Sequence, residues 1–126
     1  MKNTIISIVL LIAIIGGCIY SNYFTRKTTT DILDTLDMCE EAVTEEDWET
    51  AMDHVYLTNA LWNHYRPIYS AFLRHDELTQ ITQSLSRVTM LVTIQNRDDF
   101  YVENGFLCEL IESVAGLDRS SMENIL

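Results

Sequence analysis

Turn-forming residues are scarce in this chain. Its 126 residues hold one proline, Pro67, and four glycines, of which only Gly105 and Gly116 lie beyond position 27. A β sandwich or barrel needs a turn signal roughly every 8–12 residues, so the scarcity argues against one and suits long helices. Positive charge is scarce too. Residues 28–126 contain five arginines, no lysine and all 19 carboxylates of the chain, a formal charge of −14. Phosphate binding relies on clustered Lys and Arg, so this balance excludes nucleic acid as a partner and repels anionic lipid headgroups. Catalytic patterns are missing as well. There is no Gly-x-Ser-x-Gly, phosphate loop, Cys-x-x-Cys or His-Glu-x-x-His. Ala51, Leu61 and Phe72 stand three positions before His54, His64 and His75, so the Glu-x-x-His pairs of a di-iron bundle are lacking. These absences lead to the expectation of a non-enzymatic protein with no cofactor and no metal.

What the chain does have is a long apolar run. Residues 4–20 read T-I-I-S-I-V-L-L-I-A-I-I-G-G-C-I-Y, and Tyr23 and Phe24 extend them to a polar boundary at Arg26 and Lys27. A hydrocarbon core of about 30 Å takes about 20 helical residues, so residues 4–24 are expected to meet membrane lipid. Tyr20, Tyr23 and Phe24 would stand at headgroup level, where amphipathic rings are favoured. Three fates fit the run. A cleaved secretory signal needs a small-x-small site, and Gly16-Gly17-Cys18 is followed at once by Ile19 and Tyr20. A lipoprotein signal would make Cys18 the lipidated residue of an Ile15-Gly16-Gly17-Cys18 lipobox. An uncleaved signal-anchor helix needs no special residue and is favoured. Charge is nearly balanced across the run, and a short basic start favours an exported C-terminal part.

The expected organisation is an anchor over residues 1–27 and an acidic helical domain over 28–126. Within the domain, Thr30 is a candidate N-cap for a first helix carrying Ile32, Leu36, Cys39 and Val43 at three- and four-residue steps. Thr44-Glu45-Glu46-Asp47 resembles a capping box for a second helix, with a stripe of Trp48, Ala51, Val55, Trp62, Tyr65, Tyr69 and Phe72 and a kink at Pro67. Asp76 is a candidate cap for a third helix with Leu78, Ile81, Leu85, Val88 and Leu91. After the turn Asn96-Arg97-Asp98-Asp99, a fourth carries Phe100, Leu107, Leu110, Val114 and Leu117. Short connections make consecutive helices antiparallel. The expected fold is therefore all-α: a transmembrane helix, then a small antiparallel bundle of about four helices in two hairpins. A faint echo, Glu46-Asp47-Trp48 against Asp98-Asp99-Phe100 at a spacing of 52, agrees with two hairpins.

Three groups of residues invite a functional reading. Ten carboxylates and no basic residue fall between Asp31 and Asp53. They form either a solvated face or a docking face for a basic partner or weakly held calcium, although no Asp-x-Asp-x-Asp-Gly loop is present. Tyr56 falls off the apolar stripe of the second helix, and His75-Asp76 is the best local candidate for a site, so Tyr56, His75 and Asp76 form the candidate interaction surface. Cys39 and Cys108 fall near apolar stripes, as buried thiols or as a disulfide between the first and fourth helices.

The chain also resembles a family of short bacterial proteins, domain of unknown function 4363. The resemblance is carried by the N-terminal apolar segment, D-W-E-T-A at Asp47–Ala51, Trp62, R-H-D-E-L at Arg74–Leu78 and E-N-I-L at Glu123–Leu126. It implies a membrane-anchored helical protein and carries over no catalytic residue. The expected function is a membrane-tethered interaction or structural module that binds an envelope protein. The alternative is an extracytoplasmic ligand- or cation-binding domain.

Overall fold

The computed structural model describes residues 2–71 and 73–115, with residues 21, 22 and 115 described by backbone alone. Phe72, Leu117, the Glu123–Leu126 ending and Gly116 lie outside the described residues. Four helices follow one another: α1 (Lys2–Thr44), α2 (Trp48–Tyr69), α3 (His75–Thr93) and α4 (Arg97–Ala115). There is no strand among the described residues. The pairs α1–α2, α2–α3, α3–α4 and α4–α1 pack against each other, an up-and-down ring around one core.

The anchor and the first bundle helix are one element. Sequence reading expects a helix opening at Thr30, whereas α1 runs unbroken through that position for 43 residues, about 65 Å at 1.5 Å per residue. The threonine run explains the difference. The Thr28, Thr29 and Thr30 hydroxyls donate to the carbonyls of Phe24, Thr25 and Arg26 four residues back. Hydroxyls satisfied in this way sit inside a helix instead of capping one. Ile5–Tyr20 is exposed throughout, and burial begins at Thr25.

The bundle is built twice from one plan. α1 ends at Thr44 and α3 at Thr93, 49 positions apart, and each helix is followed by the same connection. Asp47 N–H donates to Ala42 O and Glu46 N–H to Val43 O; Asn96 N–H to Leu91 O and Gln95 N–H to Val92 O. This double bond closes a helix with a left-handed residue, and Glu46 and Gln95 both have φ 58°. The next helix is then capped by a side chain: Asp47 accepts from Thr50 N–H at 3.3 Å, and Asn96 from Asp99 N–H at 3.2 Å. The capping box expected from Thr44 is therefore displaced, because Thr44 ends α1 and Asp47 is the cap of α2. Asp76 is not a cap either. It lies in the first turn of α3, whose N-cap Arg74 makes no side-chain cap bond. α2 continues through Pro67 and ends at Tyr69.

The offset of 49 also aligns the core, which corrects the spacing of 52. Ile32, Leu36, Cys39 and Val43 correspond to Ile81, Leu85, Val88 and Val92; Ala51, Val55, Thr58 and Trp62 correspond to Phe100, Asn104, Leu107 and Ile111. Every one of these is buried. Two expectations follow. A side chain in the left-handed region costs about 1–2 kcal/mol that glycine avoids, partly offset by the freedom glycine gains when unfolded. Gln95→Gly should therefore raise stability by about 0.5–1 kcal/mol in urea unfolding. Asn104 is 2 % exposed with its Oδ1 unpartnered, where the first hairpin has Val55. Asn104→Val should stabilise by about 1–2 kcal/mol, because a buried unpaired acceptor carries its full desolvation cost. A loss of stability in thermal unfolding would count against this reading of Asn104.

Candidate functional site

The interior of the bundle holds pairs of hydrogen-bonded polar side chains. Thr58 donates to the Thr35 hydroxyl at 2.8 Å, Trp62 Nε1 to Thr82 Oγ1 at 3.0 Å, and the Thr28 and Tyr69 hydroxyls are hydrogen-bonded to each other. Burial raises the Tyr69 phenol, which keeps it neutral. Cys39 and Cys108 are both free thiols, the first fully buried and the second half-buried. Burial pushes both up to about 12, with the Glu40 carboxylate adding to the effect on Cys39 and those of Glu112, Glu40 and Asp37 adding to that on Cys108. Against an ordinary value of 9.0, this leaves about 10³-fold less thiolate at neutral pH. Iodoacetamide should therefore alkylate both cysteines about 10³-fold more slowly in the native protein than in urea. The stabilisation from these protonated thiols is full below pH 9.0 and is lost as pH rises towards about 12, because the unfolded chain releases its protons first.

The surface is more distinctive, and the repeat shows where. Among the exposed positions of the first hairpin are Glu41, Glu45, Asp53 and Leu57, and 49 positions later stand Met90, Ile94, Val102 and Phe106. Those four are 60 %, 58 %, 74 % and 48 % exposed. One scaffold thus presents an acidic face on its first hairpin and an apolar one on its second. At three of the four places the fold does not require an apolar residue, since Glu41, Glu45 and Asp53 stand there in the first hairpin; at the fourth, Leu57 matches Phe106. Met90 and Val102, with Arg87, Leu91, Asp99 and Glu103, line an open groove of about 370 Å³ between α3 and α4. Arg87 Nε meets Glu103 Oε1 at 2.8 Å along it, and Ser84 donates to the same oxygen at 3.0 Å. Sequence reading missed this surface because it followed the single buried stripe of each helix. The signal was a second i, i+4 apolar pair on each segment, Met90 and Ile94 at the end of α3 and its cap, and Val102 and Phe106 on α4.

The residues singled out from sequence do not form one site. Tyr56 is 59 % exposed on α2, 13 residues or about 20 Å before that helix ends at Tyr69. His75 and Asp76 open α3 beyond that end, where Asp76 pairs with Arg74 at 3.3 Å. Cys18 is exposed on the apolar part of α1. On the acidic face Asp37, Glu40, Glu41 and Glu45 flank a shallow surface depression. No group of three His, Cys, Asp or Glu side chains among the described residues converges to hold a metal ion.

The features so far define a class: a four-helix bundle whose first helix continues as an uncovered apolar rod long enough to cross a membrane. The chain belongs to the family described as Domain of unknown function (DUF4363), whose profile matches residues 19–125. The match takes in the whole bundle and leaves residues 1–18 outside it. No curated protein and no solved structure matches the chain significantly.

Proposed function

We propose that the protein is a non-enzymatic, membrane-tethered interaction module of the bacterial cell envelope. In this reading α1 crosses the bilayer once through residues 4–24 and holds the bundle on the extracytoplasmic side. The observation that carries it is the unequal use of α1. Its N-terminal part has a mean hydropathy of 2.4 and none of that stretch is buried, whereas the part after Thr25 supplies five of the 17 buried hydrophobic residues of the core among the described residues. An uncovered apolar rod of that length is costly in water and favourable in hydrocarbon. The apolar face of α3 and α4 supports a protein partner, because three of its four positions, Met90, Ile94 and Val102, correspond to carboxylates in the first hairpin, where the fold is the same.

Two measurements test the reading. The full chain should stay in the membrane pellet after alkaline carbonate extraction, and a C-terminal alkaline phosphatase fusion should be active. Release by carbonate, or an inactive fusion beside an active cytoplasmic reporter, would overturn it. For the partner, a photo-crosslinking residue at Val102 should trap a discrete envelope protein in intact cells. The same residue at Asp53, its counterpart on the first hairpin, should trap none. Equal yields from both positions would remove the apolar face as the contact.

A further inference from the structure

The apolar face of the second hairpin is large for the surface of a lone bundle. Met90 and Ile94 stand one turn apart at the end of α3 and its cap, and Val102 and Phe106 one turn apart on α4. At 60 %, 58 %, 74 % and 48 % exposure they present about 400 Å² to water, and patches of that size mark contact sites. Met90 and Val102 line the open groove between the two helices, together with Leu91 and the charged groups Arg87, Asp99 and Glu103. Asp98 and Glu109 are exposed further round α4. Arg97 turns away to Glu46, and Arg74, Asp76 and Glu77 border a separate depression at the other end of the hairpin.

We infer that this face is the contact between two copies of the chain, related by a twofold axis along the membrane normal that passes through the α3–α4 groove. This rests on reading the face as the site of a protein contact, and it names the partner. Area supports a pair. Interfaces are about 60 % apolar, so an apolar patch of about 400 Å² implies about 700 Å² buried per copy and about 1,400 Å² in all, the size of a stable dimer contact. The shared anchor sets the orientation. Copies held by α1 in one membrane stand parallel, which leaves a closed pair a twofold axis normal to the bilayer. That axis lays α3 of each copy against α4 of the other at unchanged height. Met90 then meets Val102 and Val102 meets Met90, with Arg87, Asp99 and Glu103 as a polar rim around an apolar centre.

Charge weighs against two of the other sides. A pair through the first hairpin would set Glu41, Glu45 and Asp53 against their own copies, and the α1–α4 side carries Asp37, Glu40 and Glu112 around Cys108. A pair through the second hairpin sends the first hairpins outward. Four helix layers then separate their carboxylates, about 40 Å at roughly 9 Å per layer, which is several Debye lengths. The spans do not take part. α1 packs on α2 and α4, so it stands behind the contact layer, and the two α1 helices of the pair are about 30 Å apart.

The test uses the full chain reconstituted at high dilution in phosphatidylcholine vesicles and oxidised with copper phenanthroline. Val102→Cys in a C18S background should give a disulfide-linked pair at twice the 14.6 kDa of the chain. A disulfide needs Cα atoms within about 7 Å, so Asp53→Cys in the same background should give at least about fivefold less. The wild-type chain should give no pair through Cys18, which is exposed on the separated rods. M90E/I94E, which repeats Glu41 and Glu45 of the first hairpin, should lower the Val102 yield to that of Asp53 with unchanged circular dichroism, and Met90→Glu alone should lower it part of the way. Equal yields from Val102 and Asp53, or a Val102 yield that ignores both variants, overturn the pairing. A bridge at Cys18 in place of Val102 overturns it too and moves the contact to the rods. If Val102 forms no bridge while a photo-crosslinking residue there traps a different protein in cells, the second copy is wrong and the envelope-partner reading stands. If neither forms, the apolar face is not a contact and both readings of it fall.

Discussion

Phe100→Ala is expected to destabilise the bundle by about 3–5 kcal/mol, the range for emptying a fully buried ring site. Phe100 is 0 % exposed, and its counterpart in the first hairpin is the much smaller Ala51. At that end of the bundle α1 and α2 bring the small side chains of Ala42, Val43 and Ala51 to the core, so the ring fills space that they leave. Its removal leaves a cavity that rigid helices on several sides cannot close. A domain of this size has a total stability of about 5–10 kcal/mol, so one substitution should consume about half of it. Thermal unfolding of the detergent-solubilised chain, followed by circular dichroism, should show a Tm lower by about 15–30 °C. A fall below about 3 °C would mean that the ring does not sit in a closed core.

Thr30→Pro is the second large effect, expected at about 3 kcal/mol. In α1 the Thr30 N–H lies inside the helix and its hydroxyl donates to Arg26 O at 2.7 Å. Proline removes both donors, and its ring presses on that same carbonyl. Were Thr30 the cap of a separate helix, the substitution would be tolerated with little loss. Hydrogen exchange over residues 26–34 reads the difference directly: protection should fall at least about tenfold in the variant. Unchanged protection would restore a break between anchor and bundle.

Much of the bundle was legible from spacing. The stripe Ile32, Leu36, Cys39 and Val43 is buried throughout, as are Leu78, Ile81, Leu85 and Val88. These positions recur at the helical period, and only one face of each helix can reach the core. Leu91, Leu110 and Val114, placed in the same stripes, are half-buried at its edge. The start of the first bundle helix was not legible. Threonine serves both as an N-cap and, by bonding to the carbonyl four residues back, as a helix-interior residue, and local sequence does not separate the two. The internal repeat was misaligned for a similar reason. The acidic and aromatic residues at Asp47-Trp48 and Asp99-Phe100 look alike, yet the conserved geometry lies in the connections, where Glu46 and Gln95 share a backbone conformation but no chemistry.

The candidate surfaces were the least legible. Tyr56 and His75 each departed from a stripe, but their separation along the bundle depends on how α2 and α3 are paired. The apolar face of Met90, Ile94, Val102 and Phe106 belongs to two helices that meet only in the fold, and it stands out only against the acidic counterpart of the first hairpin.

By itself, the sequence determined an all-α chain with an apolar N-terminal rod. Scarce turn formers, three- to four-residue apolar spacing and one long uncharged run are local properties, and local hydrogen bonding and burial act on them directly. The tertiary structure decided that the rod and the first bundle helix are one piece. It also decided that two hairpins share a plan but present different faces. These are consequences of pairing distant segments, and a single helical stripe ignores the positions that pairing brings together.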